Sequence, residues 1–471
     1  MKSMTLRRHN VKTGFNWKSF IRKLCVLAVP VALQNLLSST ASMVDTMMLA
    51  RLGERTVGAV GLCAQFSSLM FSGYWGFVGG GMLFFAQYWG ARDDDGIDRS
   101  YGLTVTCMMT VAFSFMLAAL LFPEAVMRAY TDKETFVGIG VRYLRIVGFA
   151  YPLQVFSMAM SALLRSTERV KIPLYGGISS VTTNILLNAL LIPILGVEGA
   201  ALATVASAVV NVSVVLLLAR KSGYPYLFHF RKHFLWKREK TREYFRKCFP
   251  ILCNEILIGV GNMVINMVIG RQPEAAIPAL AVFRTLEGMV IGFFSGFSSA
   301  ASVLVGSFVG AGELDTAYER AKRIVLLCGT AMLGFCSLLL LVHKPVLRAM
   351  SLEGESLSIC SGILKIFAPA AVIRMCNWVQ NDTYRSAGDA VTGTVLEIVF
   401  MYVMLLPCVY YTGIIRRLPV LTVFAMCYID EPIRFVIMQF HMYSGKWVRP
   451  VTEEGQRALP EFRKKRGITA K

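Results

Sequence analysis

Charged side chains are scarce in this chain of 471 residues: they make up 17% of it, against 55% for hydrophobic residues. A soluble core of this size cannot hide so much apolar surface, so lipid is the expected surrounding. The five histidines are scattered and fit no metal-ligand spacing or Ser–His pair, and no phosphate-cradling loop stands out, which argues against an enzyme. The eleven cysteines include no CxxC pair, so neither disulfides nor metal–thiolate sites are expected.

The main feature of the sequence is a series of long apolar runs. Twelve of them are long enough to cross about 30 Å of hydrocarbon. They lie near 24–48, 57–86, 101–122, 137–161, 172–195, 198–219, 246–269, 276–306, 324–342, 360–383, 391–412 and 418–441. The sequence therefore predicts an all-α polytopic membrane protein with twelve transmembrane helices, six in each of two pseudo-symmetric lobes.

The two halves are related by an internal repeat, since residues 30–95 align with 250–315 at a constant offset of 220. This register matches Pro30 with Pro250, Gly76-Phe77 with Gly296-Phe297, Gly90-Ala91 with Gly310-Ala311 and, further on, Arg165-Ser166 with Arg385-Ser386. Transporters commonly bind their substrate between two repeats. Function is therefore expected at the seam between the lobes.

The net charge of +20 comes mainly from basic segments on one face of the predicted bundle. With the N-terminus inside, 34 of the 49 lysines and arginines are cytoplasmic, which is the positive-inside pattern. We expect a monomer in the plasma (inner) membrane, with cytoplasmic termini and no nucleic-acid partner. Its predicted parts are a basic N-terminal tail (1–23), an N-lobe (24–222), a basic linker (223–245), a C-lobe (246–442) and a basic C-terminal tail (443–471).

Polar residues within the N-lobe spans need a partner or a task, because ionised groups in a membrane are costly. Asp45 lies in the first span, Asn184 and Asn188 share one face of the fifth, and Thr204 lies in the sixth. Together they offer oxygen ligands for a proton or Na⁺, the ion lying at Asp45 and Asn184. Alternatively, Asp45 is an acid near a helix end paired with Arg51, and the amides and hydroxyl only pack helices together.

The C-lobe carries its own polar set in the seventh, eighth and tenth spans: Asn254, Glu255, Arg284, Glu287, Arg374 and Asn377. These side chains either contact substrate or neutralise one another as a structural network. Pro30 and Pro250 lie in the first span of each lobe, where they are either hinges or simply tolerated membrane prolines.

A series of strings in fixed order resembles the multidrug and toxic compound extrusion (MATE) family of cation-coupled antiporters over roughly residues 20–445. They are VDTMMLARLGE, AQYWGARDDDGIDRSYG, LRSTERVKIP, NILLN, GVEGAALAT, PILCNEILIGVGN, VGSFVGAGELDTAYERAKR and YRSAGD. The resemblance implies two six-helix bundles across a central cleft, exporting cationic or amphipathic organic compounds such as drugs and toxins. The exchange ion would be H⁺ or Na⁺, with no other cofactor.

The resemblance also implies an N-lobe cation site at Asp45, Asn184, Asn188 and Thr204. Asn188 departs from members that carry a second carboxylate there. Glu255 resembles an acid that many members use in the seventh span. Some members also have an acid in the tenth span, but the position closest to it in this chain is Arg374. The resemblance therefore implies a mixed Glu–Arg cluster in the C-lobe. The alternative function is a flippase or exporter of lipid-linked or anionic metabolites from the same superfamily, in which arginines of the C-lobe set would hold phosphate.

Overall fold

The computed structural model describes residues 16–273, 276–350 and 353–468, and within these ranges the chain is helical without strands. The helices are α1 Trp17–Ala50, α2 Glu54–Ala91, α3 Asp94–Leu121, α4 Pro123–Arg128, α5 Glu134–Val147, α6 Ala150–Ser166, α7 Lys171–Leu195, α8 Val197–Lys221, α9 Phe230–His233, α10 Arg238–Ile269, α11 Ala276–Gly310, α12 Leu314–Ala349, α13 Gly354–Ser386, α14 Thr392–Phe400, α15 Leu406–Tyr410, α16 Val420–Met426, α17 Asp430–Ser444 and α18 Glu453–Lys465. The π-helical turn Met401–Leu405 joins α14 to α15, and a second π-helical turn, Tyr411–Ile415, extends α15, so that residues 392–415 form one span. Of the predicted basic tails, residues 1–15 and 469–471 lie outside the described residues.

Ten spans of the described chain are long and apolar enough to cross a membrane, and α5 with α6, bent by 51°, forms an eleventh. The twelfth predicted span coincides with α16 and α17, which are separated by residues 427–429. This span is less apolar because α17 buries Asp430, Glu431 and Arg434 in the protein. The predicted all-α fold with twelve transmembrane helices in two lobes is confirmed.

The first helix of each lobe packs partly into the other lobe. Leu24 and Ala28 of α1 lie in the hydrophobic core of the C-lobe. Their counterparts at the offset of 220, Tyr244 and Cys248 of α10, lie in the core of the N-lobe. The exchange of helices is therefore pseudo-symmetric, and it ties the two lobes together.

Repeated glycines allow these exchanged helices to cross closely. A Cβ on Gly76 of α2 would overlap the backbone of Leu252 in α10, and a Cβ on Gly296 of α11 would overlap the carbonyl of Ala28 in α1. Only glycine permits such an approach without displacing a helix backbone. The repeat thus encodes the same inter-lobe crossing twice.

A second glycine pair closes one end of the molecule, where α2 and α11 finish. A Cβ on Gly90 would overlap the carbonyl of Ser307, and a Cβ on Gly310 would overlap the carbonyl of Gln87. Gly90 and Gly310 are repeat counterparts, as are Gln87 and Ser307. We call this region the closed end; it is the end that carries most of the basic segments.

The C-terminal segment leading into α18 lies across the closed end. The backbone N–H of Val451 donates to Gln87 Oε1 at 2.8 Å, and Gln87 Nε2 donates to the carbonyl of Ser386 at 2.8 Å. Thr452 Oγ1 donates to the carbonyl of Gly310 at 2.7 Å. Since Gln87 is fully buried, one side chain joins α2, α13 and the C-terminal segment.

Asp389, in the turn between α13 and α14, anchors the same segment by charge. It accepts hydrogen bonds from His441 Nε2 at 2.9 Å and Thr392 Oγ1 at 2.8 Å, and pairs with Arg449 Nη1 at 3.1 Å. Burial acts to raise the pKa of Asp389, but the His441 hydrogen bond, the Arg449 charge and the Thr392 hydrogen bond together hold this pKa below its ordinary value. The carboxylate therefore stabilises the closed end in its ionised form.

Candidate functional site

A cavity of about 580 Å³ lies between the two lobes. Its N-lobe wall comes from α1, α2 and α6 and is mostly apolar, with Phe71, Trp75 and Met82 among its residues. Its C-lobe wall comes from α10, α11, α13, α14, α16 and α17 and carries most of the charged groups. A second space of about 530 Å³ between α1 and α11 meets the cavity at Arg284, away from the closed end.

Glu287 is the centre of one charged cluster in the C-lobe wall. Its Oε2 pairs with Arg284 Nη1 at 3.1 Å, and its Oε1 pairs with Arg374 Nη1 at 3.1 Å. The hydroxyl of Tyr428 also donates to Oε1, at 3.0 Å. Because Glu287 is only 5% exposed, these three partners replace the hydrogen bonds and the charge stabilisation that its carboxylate would otherwise receive from water.

Glu431 extends this cluster into α17. It accepts from Asn377 Nδ2 at 2.7 Å and from Arg434 Nη2 at 3.2 Å, while Arg434 Nη1 also binds Asp430 Oδ2 at 3.3 Å. Asn377 does not line the cavity, unlike the carboxylates it neighbours. The hydrogen bond from Asn377 orients the Glu431 carboxylate, so Asn377 is a positioning residue and does not contact the cavity itself.

A second charged cluster surrounds Arg385. Its Nη1 lies 3.4 Å from Glu255 Oε1 and 3.8 Å from Asp382 Oδ1, and its Nη2 lies 3.9 Å from Glu397 Oε2. Asn254 Nδ2 donates to Glu397 Oε2 at 3.0 Å. Glu255 thus pairs in this second cluster and lies apart from the Glu287 cluster, so the sequence-based idea of one network containing both acids is wrong.

Sequence reasoning gave no site role to Arg165, Asp382 or Arg385, all of which line the cavity. The recurrence of Arg165-Ser166 as Arg385-Ser386 was a signal for the two arginines. Asp382 falls on Ala162 in the repeat register, so the repeat offers no signal for this acid.

Three of the four residues predicted for an N-lobe cation site are in contact. Asn188 Nδ2 donates to Asp45 Oδ1 at 2.6 Å and to Asn184 Oδ1 at 3.1 Å, while Asn188 Oδ1 is buried without a hydrogen-bond partner. The hydroxyl of Thr204 donates to the carbonyl of Ala200, at 3.0 Å in its own helix. In this conformation the Asn188 amide nitrogen therefore lies between two oxygens that could hold a small cation.

This polar group is separate from the cavity, whose lining does not include Asp45. One helical turn away, Leu49, Ile192 and Ala200 form a small apolar cluster beside it. Among the described residues Asp45 forms no ion pair with Arg51, and no group of three or more His, Cys, Asp or Glu side chains is arranged to hold a metal. An ion here would rely on one carboxylate and neutral oxygens.

The two predicted hinge prolines lie inside continuous helices. Pro30 is in α1 and Pro250 in α10, each within the half of the helix that is exchanged between lobes. Proline removes a backbone hydrogen bond from a helix and so weakens one turn. Both positions are compatible with bending next to the inter-lobe crossings.

The arrangement of two repeats that exchange helices around a central cavity is that of a two-lobed membrane transporter. The MatE family model matches residues 30–190 and 250–411, one match in each lobe. The chain therefore belongs to the MatE family, whose members are transporters rather than enzymes.

The chain is similar to "Probable multidrug resistance protein YoeA" of Bacillus subtilis, with 24% identity over 433 residues, covering 90% of this chain and 92% of that protein. It is also similar to "Multidrug export protein MepA" of Staphylococcus haemolyticus, with 21% identity over 82% of this chain and 85% of that protein. A solved outward-facing MATE family transporter of the MOP superfamily shares the fold at a TM-score of 0.81 and 16% identity, covering 92% of this chain and all of the other.

Proposed function

We propose that this protein is a secondary active antiporter that exports cationic or amphipathic organic compounds in exchange for H⁺ or Na⁺ by alternating access. It acts as a monomer in the plasma (inner) membrane, with the closed end and both termini on the cytoplasmic side. The observation that carries the proposal is that α1 contributes both to the cavity between the lobes, through Asn35, and to a separate acid–amide group, in which its Asp45 contacts Asn188 of α7. The names of the multidrug relatives support export of small organic compounds.

The coupling ion binds beside Asn188, between the oxygens of Asp45 and Asn184. If Na⁺ enters, rotating the Asn188 amide by half a turn brings its unpartnered Oδ1 to the ion, beside the oxygens of Asp45 and Asn184. If a proton enters, it neutralises Asp45 and weakens the hydrogen bond that the carboxylate accepts. Thr204, whose lone pairs are not used by its bond to Ala200, completes the oxygen set.

Helix α1 transmits this change to the cavity. Asp45 lies ten residues beyond Asn35, which lines the cavity, and ten helical residues span about 15 Å. Asn35 also crosses to the C-lobe, donating to Ser295 Oγ at 2.6 Å. A hydrogen bond to a charged group contributes about 1.5–3 kcal/mol, so losing the one at Asp45 can shift a two-state equilibrium by roughly 10- to 150-fold.

Neutralising Asp45 favours a helix arrangement with lower substrate affinity, so substrate leaves outward before the ion leaves inward. Exchange of one ion at Asp45 for one monovalent organic cation moves no net charge. If Glu255 takes a second ion, the exchange also gains about 2.3 kcal/mol per 100 mV of membrane potential.

Arg284 and Arg374 do not favour the alternative of a flippase for anionic lipids. Both guanidiniums are already paired with Glu287, at 3.1 Å each. A phosphate group bound there would have to compete with a buried carboxylate.

The test uses purified protein in vesicles, with a pH gradient and a Na⁺ gradient imposed separately on efflux of a cationic dye. Asp45→Asn keeps the shape of the side chain but cannot bind a proton or compensate Na⁺. We expect this variant to lose acceleration by the gradient while still exchanging dye for dye in a counterflow assay.

The matched control is Asp132→Asn, because Asp132 is an exposed acid in the turn before α5. It should respond to the gradient as the wild type does. Gradient-driven efflux at the wild-type rate in Asp45→Asn would show that Asp45 is not the coupling residue.

A further inference from the structure

The charges around the cavity are distributed unequally between its two walls. Arg165 is the single charged side chain that the N-lobe contributes to the lining. The C-lobe contributes six carboxylates and four guanidiniums: Glu255, Glu287, Asp382, Glu397, Asp430 and Glu431, with Arg284, Arg374, Arg385 and Arg434. In formal charge, the N-lobe wall is therefore positive and the C-lobe wall is negative.

The negative excess is concentrated around Arg385. In the Glu287 and Glu431 cluster, three carboxylates are matched by three guanidiniums. Around Arg385, by contrast, Glu255, Asp382 and Glu397 share one guanidinium. This part of the wall attracts a basic group.

Arg165 has the opposite surroundings. Its Nη2 donates to Gln34 Oε1 at 2.6 Å, and its Nε is buried without a hydrogen-bond partner. No carboxylate within the described ranges forms an ion pair with it. Its repeat counterpart, Arg385, has three, so the difference arises from the partners and not from the position in the lobe.

A half-buried guanidinium without a counter-ion carries an uncompensated desolvation cost. An anionic group of a ligand would remove that cost, and the planar guanidinium fork matches a carboxylate in particular. Apolar and aromatic residues line the same cavity, among them Trp75, Met158 and Trp378. The volume of about 580 Å³ lies in the range of pockets for drug-sized ligands.

We infer, on the basis of the proposed function, that the cavity binds zwitterionic amphipathic compounds. The acidic group of the compound pairs with Arg165 in the N-lobe wall. Its basic group faces the Glu255, Asp382 and Glu397 carboxylates of the C-lobe wall. Because each lobe holds one end of the compound, the two lobes contact a zwitterion through different charges.

The test compares two probes that differ only in the acidic group: rhodamine B, which has a carboxylate and a cationic ring system, and its ethyl ester, which is only cationic. Binding to the purified full-length protein is measured by fluorescence anisotropy, and export is measured in vesicles. We expect wild-type protein to bind rhodamine B more tightly than the ester. Arg165→Gln should weaken rhodamine B binding by about tenfold or more, the scale of a charged hydrogen bond, and change ester binding little.

Two further variants separate charge from structure. Arg165→Lys keeps the positive charge and should retain most of the preference for rhodamine B. Gln34→Glu keeps Arg165 but places a carboxylate where Gln34 Oε1 now accepts its hydrogen bond. This internal counter-ion should reduce rhodamine B binding as Arg165→Gln does.

The matched control is Arg320→Gln, since Arg320 is a partly buried arginine that stacks on Phe308 at 4.0 Å and does not line the cavity. It should leave the ratio of the two affinities unchanged. Equal loss of both probes in Arg165→Gln, or a wild-type preference for the ester, would overturn the inference while leaving export of organic compounds intact. If the wild type exports neither probe under either gradient, the proposed function fails, and the inference fails with it.

Discussion

Adding one methyl group at the closed end should open the molecule there. In Gly310→Ala the new Cβ meets the carbonyl of Gln87, a backbone atom that cannot turn aside, and Gly90→Ala meets the carbonyl of Ser307 in the same way. Overpacking of this kind costs about 1–3 kcal/mol. Because the contact exists only when the end is closed, that cost should raise the population of the open state by roughly 5- to 150-fold.

A native thiol reports on this opening. Cys248 of α10 is fully buried in the inter-lobe contact beside Gly80. Its rate of alkylation by N-ethylmaleimide, followed by mass spectrometry of the peptide, measures how often the lobes separate. Cys328, which is fully buried inside the C-lobe core, is the internal reference because its exposure requires unfolding of the lobe.

The control substitution is Gly334→Ala, where an added Cβ meets no atom within 4 Å. It should leave the labelling of both thiols unchanged. If Gly310→Ala leaves Cys248 as protected as in the wild type, the two glycines do not determine closure. An equal rise at Cys248 and Cys328 would mean general loss of stability instead of opening.

Three further predictions follow from buried partners. Deleting residues 451–471 removes the donor to Gln87 Oε1 and the Thr452 contact. Labelling of Cys248 should therefore rise severalfold while labelling of Cys328 stays constant. Equal labelling of Cys248 in the truncated and the wild-type protein would exclude the C-terminal segment as a stabiliser of closure. Glu287→Gln leaves two guanidiniums facing a neutral amide and should lower the free energy of unfolding by about 3–5 kcal/mol, measured as a lower melting temperature. The control, Glu319→Gln at an exposed ion pair, should change the free energy of unfolding by no more than about 1 kcal/mol. Because the pKa of Asp389 is lowered in the folded protein, its stabilisation is complete above the ordinary value of 3.8 and is lost as the pH falls through the lowered value. Asp389→Asn should therefore melt below the wild type at neutral pH, and the two melting curves should converge under acid conditions; a constant difference at every pH would refute this linkage.

The architecture was largely readable from the sequence, because long apolar runs and a gapless repeat constrain a membrane protein strongly. Each predicted span coincides with a helix, or with two helices in the fourth, the eleventh and the twelfth. The repeat also matched Gly76 with Gly296, the two glycines at which the exchanged helices cross closely in the structure.

The site was readable only in part. Asn184 and Asn188 could be grouped because a spacing of four places them on one helix face, and Asp45 because an acid in a span is conspicuous. The partner of Glu255 was not predictable from spacing, since Arg385 is 130 residues away in the sequence. Nor could the sequence reveal that Arg165 lacks a carboxylate, because that depends on which helices cross at the cavity.

The exchanged first helices bear on how such a chain could have originated. A shorter ancestor containing one repeat would have exposed the surface that α1 and α10 now cover reciprocally. Two identical copies placed side by side in the same orientation would have covered it for each other, as in any two-fold homodimer. Fusion of the two copies would have made that dimer permanent, and each copy would then have been free to acquire a different charge.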